Sequence, residues 1–487
     1  MTSEKWKDMW LEDLVSVSNG IEVWIQDHLE TPVINFKSMR EIRFIHLNML
    51  NSVLRSVCRQ TISRSQHGLT LSGPGTRVTP VRWLKTNGKL LSAVQQVQVV
   101  DGGKKLNVTW DDGKSFDFHS IWLRFQCPCA SCREESSGLF RTRPADIPLG
   151  LKIKDAIKTE TGDVQVEWKE EPHHGHFSQD FLQQHIYSKE QLQAKKEESK
   201  PVFNKTKTIE IMSWKDVENS EEALYQWLRT LNENGLAKLS DVPIERDYLE
   251  NVIRKIGPII HTPYGYLFEV ATLDDPVNAS FTSVALHFHQ DLPVYEGQPG
   301  IQFLHCLRFD ETVKGGVTRF LDMYQTLAKF RVEHPNEFKT LCRVPISIQM
   351  EYNNSDYPVL MSKRRPMIYL DDRGEVISVV WHTYMHAPLE VPEEDVEEFY
   401  NAYQLLGRAV EFSEEAIETK LKPGEVIAFN NRRMLHARSA YEEGGSGQRH
   451  FQGGYLSGDD FKSRLLVLAK KMGDSRPAIR IGNNDWR

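Results

Sequence analysis

Val284-Ala-Leu-His-Phe-His289-Gln-Asp291 is answered 145 residues later by His436, at the end of Glu425-Val-Ile-Ala-Phe-Asn-Asn-Arg-Arg-Met-Leu-His436. Alternation in the first segment predicts a strand, and residues two apart on a strand share a side. His289 and Asp291 can then reach one ion together while Gln290 faces away. The second segment reads as an apolar strand with a turn, returning beside the first in a barrel-like β-sandwich. H-x-D with a distant His is the donor set of the two-His, one-carboxylate facial triad, which holds non-haem Fe(II) and leaves positions open for substrates. The expectation is an oxygenase with iron ligands His289, Asp291 and His436.

The surroundings sharpen it. Beyond His436 lies Ala-Arg438-Ser-Ala-Tyr441, then a Glu-Glu-Gly-Gly-Ser-Gly turn, then Gln448-Arg449-His-Phe-Gln-Gly-Gly-Tyr455. Arg449 is thereby placed on the next strand, and a bidentate guanidinium suits the far end of a dicarboxylate co-substrate. Arg438, two residues after a ligand, is the competing choice. Gly315-Gly-Val-Thr318 can bring a hydroxyl to the same carboxylate.

With these segments the chain resembles the Fe(II)- and 2-oxoglutarate-dependent dioxygenases of the taurine dioxygenase type. Phe429-Asn-Asn-Arg-Arg-Met-Leu-His-Ala-Arg-Ser-Ala-Tyr441 and Gly300-Ile-Gln-Phe-Leu-His-Cys306 look most like the γ-butyrobetaine dioxygenase family, with trimethyllysine dioxygenases as close kin. The resemblance runs from about residue 90 to residue 473. It implies a mainly β fold with flanking helices: a double-stranded β-helix (jelly-roll) catalytic domain behind a small N-terminal zinc-binding β domain. It also implies 2-oxoglutarate held by Arg449, Thr318 and Leu304, O2 as co-substrate, ascorbate as reductant, and a homodimer.

Trp122-Leu-Arg-Phe-Gln-Cys127-Pro-Cys129-Ala-Ser-Cys132 packs three thiols into six residues, and His173 follows a Trp168-Lys-Glu-Glu-Pro turn. Three Cys and one His make a closed, structural Zn(II) site. The resemblance matches His173 to the zinc ligand by position, with His174 and His176 as alternatives.

A trimethylammonium group has no N–H to donate, so proteins enclose it in aromatic faces. The resemblance places this cage at Tyr264, Phe268, Phe281 and Tyr455, with Asn278 as a polar neighbour for the substrate carboxylate. Leu292 stands where the family has an aromatic, Phe268 replaces an indole, Phe281 lacks a hydroxyl, and Trp381-His-Thr-Tyr-Met-His386 departs from the family's Asn- and Arg-bearing stretch. Three readings follow: hydroxylation of γ-butyrobetaine to L-carnitine, the same chemistry on trimethyllysine or another trimethylammonium substrate, and a catalytically silent zinc-containing binding protein. The complete set of iron ligands speaks against the last.

Composition sets outer bounds. Charged residues make up 26% of 487 and the net charge is −7, which gives no sign of nucleic-acid binding. No apolar run reaches the length of a membrane span. Six cysteines, three of them in one cluster, favour metal binding over a disulfide framework.

From Ile42 to Val100 there is no Asp or Glu, while Arg43, Arg55, Arg59, Arg64, Arg77 and Arg82 stand among many Ser and Thr. That is the composition of a mitochondrial transit segment. It lies inside the chain, behind the acidic Met1–Arg40, so import would follow from initiation at Met39 or Met49, or from a start assigned too far upstream. A basic leader without an address leaves the chain cytoplasmic.

The expected organisation is a leader over 1–90, a zinc-binding β domain over 91–187, a charged linker over 188–207, the dioxygenase domain over 208–473 and a tail over 474–487. Lys105–Phe118 reads as a hairpin on an Asp-Gly turn and Asp163–Trp168 as a strand. Leu224, Trp227, Leu228 and Leu231 predict a helix ending near Gly235, and Val396, Phe399, Tyr403, Leu406 and Val410 predict another packed outside the barrel.

Overall fold

The computed structural model describes residues 93–474 and 476, apart from 199–202, 204–206, 272–281, 354–357, 372–373 and 443–446. The leader assignment over 1–90 and the cage positions Asn278 and Phe281 therefore lie outside the described residues.

The N-terminal portion is built from two small antiparallel sheets. One holds β1 (Val94–Val100), β2 (Lys105–Trp110) and β3 (Ser115–His119); the other holds β4 (Ile153–Lys158), β5 (Val164–Trp168) and β6 (His174–Phe177). Alternate residues Leu106, Val108 and Trp110 of β2 are buried with Phe118, Val164, Val166, Trp168 and Phe177 in one core. The last residues of the acid-free run thus form β1 and belong to this core. Gly113, at φ +79°, supplies the left-handed residue that the Asp-Gly turn requires.

The segment read as a linker opens with a helix, Lys189–Glu198. It carries no apolar stripe, but Lys, Glu, Gln and Ala are strong helix formers and the Ser188 hydroxyl accepts from Gln191 N at 3.2 Å.

Two larger sheets follow. The six-stranded sheet has the order β7 (Ile211–Ser213), β8 (Leu236–Ser240), β19 (Val426–Asn430), β11 (Ile301–Phe309), β22 (Arg449–Leu456) and β9 (Leu267–Ala271). The four-stranded sheet has the order β10 (Leu286–His289), β20 (Met434–Arg438), β13 (Thr318–Asp322) and β18 (Ile417–Thr419). Three two-stranded pieces pair β12 (Lys314–Gly315) with β21 (Tyr441–Glu442), β14 (Pro345–Tyr352) with β15 (Val359–Pro366), and β16 (Ile368–Leu370) with β17 (Val376–Val379). The two larger sheets face each other: Phe320, Ile417 and Met434 pack with Leu236, Ile427, Phe429 and Phe451.

The turn Asn431–Arg433 carries the chain from one sheet to the other. The expectation that the whole segment 425–436 returns beside the first strand is corrected here: β20 alone pairs with β10, while β19 lies in the opposite sheet. Buried Arg433 fixes the crossing, donating to Asp322 Oδ2 from Nε at 2.9 Å and Nη2 at 2.7 Å, and to the Glu233 carbonyl at 2.9 Å.

Helices cover the outer faces. Helix Glu221–Asn234 buries Leu224, Trp227, Leu228 and Leu231, starts at a Ser220 cap and stops at Gly235 with φ +80°. Helix Glu393–Glu411 buries Phe399, Leu406 and Val410 in the core that backs the four-stranded sheet. Among the described residues no helix is long and apolar enough to cross a membrane.

Candidate active site

His289 is the last residue of β10 and sits opposite His436 of β20, with ring centroids 4.1 Å apart. The strand ends there, so period-two alternation is not what delivers Asp291. Leu292 has φ +52°, and the chain turns as it leaves the strand. Asn431 on the crossover turn sets the position instead. Asp291 N donates to its Oδ1 at 2.8 Å, and its Nδ2 donates to the carbonyls of Asp291 at 2.8 Å and Pro299 at 3.2 Å. Gln290 faces away as expected and is bonded to the backbone of Trp381.

The two carboxylate oxygens of Asp291 have separate jobs. Oδ2 accepts from Gln302 Nε2 at 2.6 Å and from the Tyr455 hydroxyl at 2.7 Å. Oδ1 lies 3.4 Å from His289 Nε2 and 3.8 Å from His436 Nε2. His289 Nδ1 donates to the His287 carbonyl at 2.7 Å, which turns Nε2 toward the cluster. Burial pushes the His436 imidazole down to about 3. Burial works against ionisation of Asp291, yet neighbouring His436 and His289 and the Tyr455 hydroxyl hold it below the usual carboxylate range. At neutral pH the set offers an ionised carboxylate and a neutral His436, the state a metal ligand must have.

A cavity of about 430 Å³ opens from this cluster between the sheets, a size suited to a small ligand. At one end it is lined by Leu304, Thr318, Arg438 and Arg449. Arg449 is buried, and among the described residues its Nε and Nη1 have no hydrogen-bond partner. Burial and the charge of Arg438 lower its guanidinium to about 10. A buried cation short of hydrogen-bond acceptors is costly, and an anionic ligand would relieve it. Arg438, by contrast, donates from Nη2 to the carbonyls of Thr282 at 2.6 Å and Val284 at 2.8 Å. The Gly315-Gly316 pair is required by close packing: a Cβ on Gly315 would lie 2.2 Å from the Ala440 carbonyl oxygen.

The other end is aromatic. Phe268 stacks on Tyr455 with centroids 5.1 Å apart at 23°, and Tyr264 stands 6.4 Å from Phe268. Leu292 is buried beside them on the cavity wall. Phe268 can lie there because its neighbour in the sheet is Gly453, where a Cβ would come within 2.1 Å of the ring.

The thiols of Cys127, Cys129 and Cys132 converge with His173, whose Nε2 lies 3.3, 3.8 and 3.4 Å from the three sulfurs in that order. His174 is exposed and His176 is bonded to Asp163 at 2.9 Å, so His173 is the imidazole brought to the cluster. Arg124, paired with Glu171, directs Nη1 at Cys132 Sγ at 3.2 Å.

Residues 197–455, more than half of the chain, match the family model described as taurine catabolism dioxygenase TauD, TfdA family. The chain belongs to this dioxygenase family. Residues 97–183 of the dioxygenase match a second model, γ-butyrobetaine hydroxylase-like, N-terminal. It is 31% identical over 368 residues to the γ-butyrobetaine dioxygenase of Pseudomonas sp. (strain AK-1), covering 75% of this chain and 94% of the relative. The human γ-butyrobetaine dioxygenase is 27% identical over 390 residues, covering 78% and 98%. The trimethyllysine dioxygenase of Meyerozyma guilliermondii is 24% identical over 383 residues, covering 75% and 94%. The protein is a 2-oxoglutarate-dependent dioxygenase, and its mostly stranded fold is that of the family.

Sequence reasoning missed several residues of the dioxygenase site. Gln302 and Asn431 lie inside quoted motifs, but nothing in their spacing announces that both serve Asp291. Tyr352 lines the cavity from a strand that bears no motif, and His382 and Tyr384 line it from the stretch Trp381–His386, which was singled out only as a departure from the family. His382 stands 5.5 Å from His289, ring to ring, and burial pushes it down to about 3.

Proposed function

We propose that this dioxygenase hydroxylates γ-butyrobetaine to L-carnitine, using Fe(II) held by His289, Asp291 and His436. The observation that carries the reading is the aromatic end of the cavity, where Tyr264, Phe268 and Tyr455 stand over the buried triad in a chain 31% identical to a protein named γ-butyrobetaine dioxygenase. A quaternary ammonium has no N–H, and aromatic faces are the protein's means of holding it.

The donor set suits Fe(II): two imidazole nitrogens and one carboxylate oxygen on one side of the cavity. When bound, Fe(II) and 2-oxoglutarate couple the reduction of O2 to decarboxylation, so that succinate, CO2 and a hydroxylated substrate are formed. The chain's own residues do the positioning. Arg449, with Thr318, takes the far carboxylate of 2-oxoglutarate, while Leu304 packs against its methylenes. Gln302 and Tyr455 fix one oxygen of Asp291 so that the other is presented to the metal. Leu292 narrows the cavity beside the cage, and Asn278 and Phe281 are assigned to the substrate by the family resemblance alone.

The cluster Cys127, Cys129, Cys132 and His173 suits a structural Zn(II) ion. The facing sheets support a double-stranded β-helix as the catalytic domain over 208–473, with the zinc-binding module over 91–187. The basic acid-free run supports mitochondrial import, and the Gallus gallus relative is named trimethyllysine dioxygenase, mitochondrial. Ascorbate as reductant and a homodimer belong to the same reading.

Trimethyllysine is the second substrate reading, favoured by the Meyerozyma guilliermondii relative. The N-terminal match at 97–183 and its thiol cluster favour γ-butyrobetaine. Succinate formation with Fe(II), ascorbate and O2, run with each substrate and with none, separates the two. Stimulation by γ-butyrobetaine supports the proposal; stimulation by trimethyllysine alone replaces it.

A further inference from the structure

Neither the family resemblance nor the motifs assign the outer wall of the aromatic end. That wall comes from β14, which pairs with β15, bridges through Ile348 to His386, and belongs to neither large sheet. Tyr352, the last residue of β14, meets Tyr264 edge to face with centroids 5.0 Å apart. Its neighbour Glu351 also lines the cavity. The Glu351 carboxylate accepts from Asn353 Nδ2 at 2.9 Å, and among the described residues no cation lies within ion-pair distance of it.

The charges lining the cavity are therefore divided. Arg449 opens β22 and Tyr455 lies six residues further along the same strand, roughly 20 Å by strand rise. The Arg449 end carries two guanidiniums. The Tyr455 end carries aromatic rings and the Glu351 carboxylate, with no Lys or Arg among its described lining residues. A cavity polarised this way takes an anion at one end and a cation at the other.

We infer that Tyr352 and Glu351 are specificity-determining residues: Tyr352 closes the cage around the substrate's quaternary ammonium, and Glu351, on the opposite, exposed face of β14, adds a solvent-screened negative charge at the same end of the cavity. This rests on the trimethylammonium reading above and extends it to a wall that neither large sheet provides. Tyr352 acts through its ring face, so a phenyl ring can substitute for it. Glu351 is exposed, so its contribution is sensitive to salt.

The test measures binding to the full chain with Mn(II) in place of Fe(II) and 2-oxoglutarate present, so that no turnover occurs. The probes are γ-butyrobetaine and its carbon isostere, the same acid with the quaternary nitrogen replaced by carbon. Wild type should prefer the cation. Tyr352→Leu should reduce that preference by about three- to thirty-fold, the span of one cation–π contact, while Tyr352→Phe keeps most of it. Glu351→Gln should also reduce the preference and flatten its dependence on ionic strength. The affinity for 2-oxoglutarate, bound at the other end, should be unchanged in all three, which also reports that they are folded. Wild-type preference retained in both Tyr352→Leu and Glu351→Gln overturns this inference and leaves the proposed function standing. A wild type that does not distinguish the cation from its isostere overturns the trimethylammonium reading and this inference with it.

Discussion

Tyr455→Phe separates two duties of one side chain. The hydroxyl donates to Asp291 Oδ2 at 2.7 Å, whereas the ring stacks on Phe268 at 5.1 Å. A hydrogen bond to a buried charged group contributes about 1.5–3 kcal/mol, or roughly 10- to 150-fold in an equilibrium constant. Gln302 still donates to the same oxygen at 2.6 Å, so the lower part of that span applies. The expected loss of Fe(II) affinity is about tenfold, the low end of what removing a ligand's supporting hydrogen bond costs. Orientation dominates the sign, because Asp291 lies past the end of its strand and depends on these donors and on Asn431 for its pose. Anaerobic Fe(II) titration with 2-oxoglutarate, followed by the charge-transfer band of the complex, reads the affinity directly. γ-Butyrobetaine binding should change little, since the phenyl face remains. Unchanged Fe(II) affinity in both Tyr455→Phe and Gln302→Leu would refute the claim that these donors hold the metal-binding carboxylate.

Three further outcomes are expected. Arg449→Ala should raise the 2-oxoglutarate requirement far more than Arg438→Ala, because Arg438 already serves the carbonyls of Thr282 and Val284; initial rates against 2-oxoglutarate concentration decide the order. Elemental analysis should find one zinc per chain, lost in Cys127→Ser together with stability of the N-terminal module. His305 is fully buried, neither ring nitrogen has a partner among the described residues, and burial lowers it from 6.5 to about 4. Its folded value lies below the unfolded one, so the unfolded chain binds the extra proton. Stability should be intact above about pH 6.5 and fall toward about pH 4, by at most on the order of 3 kcal/mol from this residue. Denaturant unfolding of His305→Leu should show a flatter acid limb than wild type.

The strand carrying His289, the helix over Leu224–Leu231 and the thiol cluster were legible because each is written in local spacing: period two, period 3.6, and three Cys within six residues. The trio His289, Asp291 and His436 was legible as residue types, an H-x-D with a distant His, since the strand ends at His289 and period two does not deliver Asp291. What fixes it was not. Asn431 reaches Asp291 only because Asn431–Arg433 crosses between sheets, and a crossover has no local periodicity to distinguish it from a strand that returns beside its partner. Gln302 and Tyr455 converge on one carboxylate oxygen from neighbouring strands of the opposite sheet, a relation set by register. Tyr352 comes from a separate hairpin. The helix at Lys189–Glu198 escaped because polar helices formed by propensity alone carry no apolar signature.

The account stands or falls on coupled hydroxylation of γ-butyrobetaine. The most direct test is turnover under isotopically labelled O2, with product and succinate analysed together by mass spectrometry. The prediction is L-carnitine carrying one labelled oxygen, formed in equal amount with succinate. Succinate without labelled carnitine would contradict it, because the iron site would then be active on some other substrate.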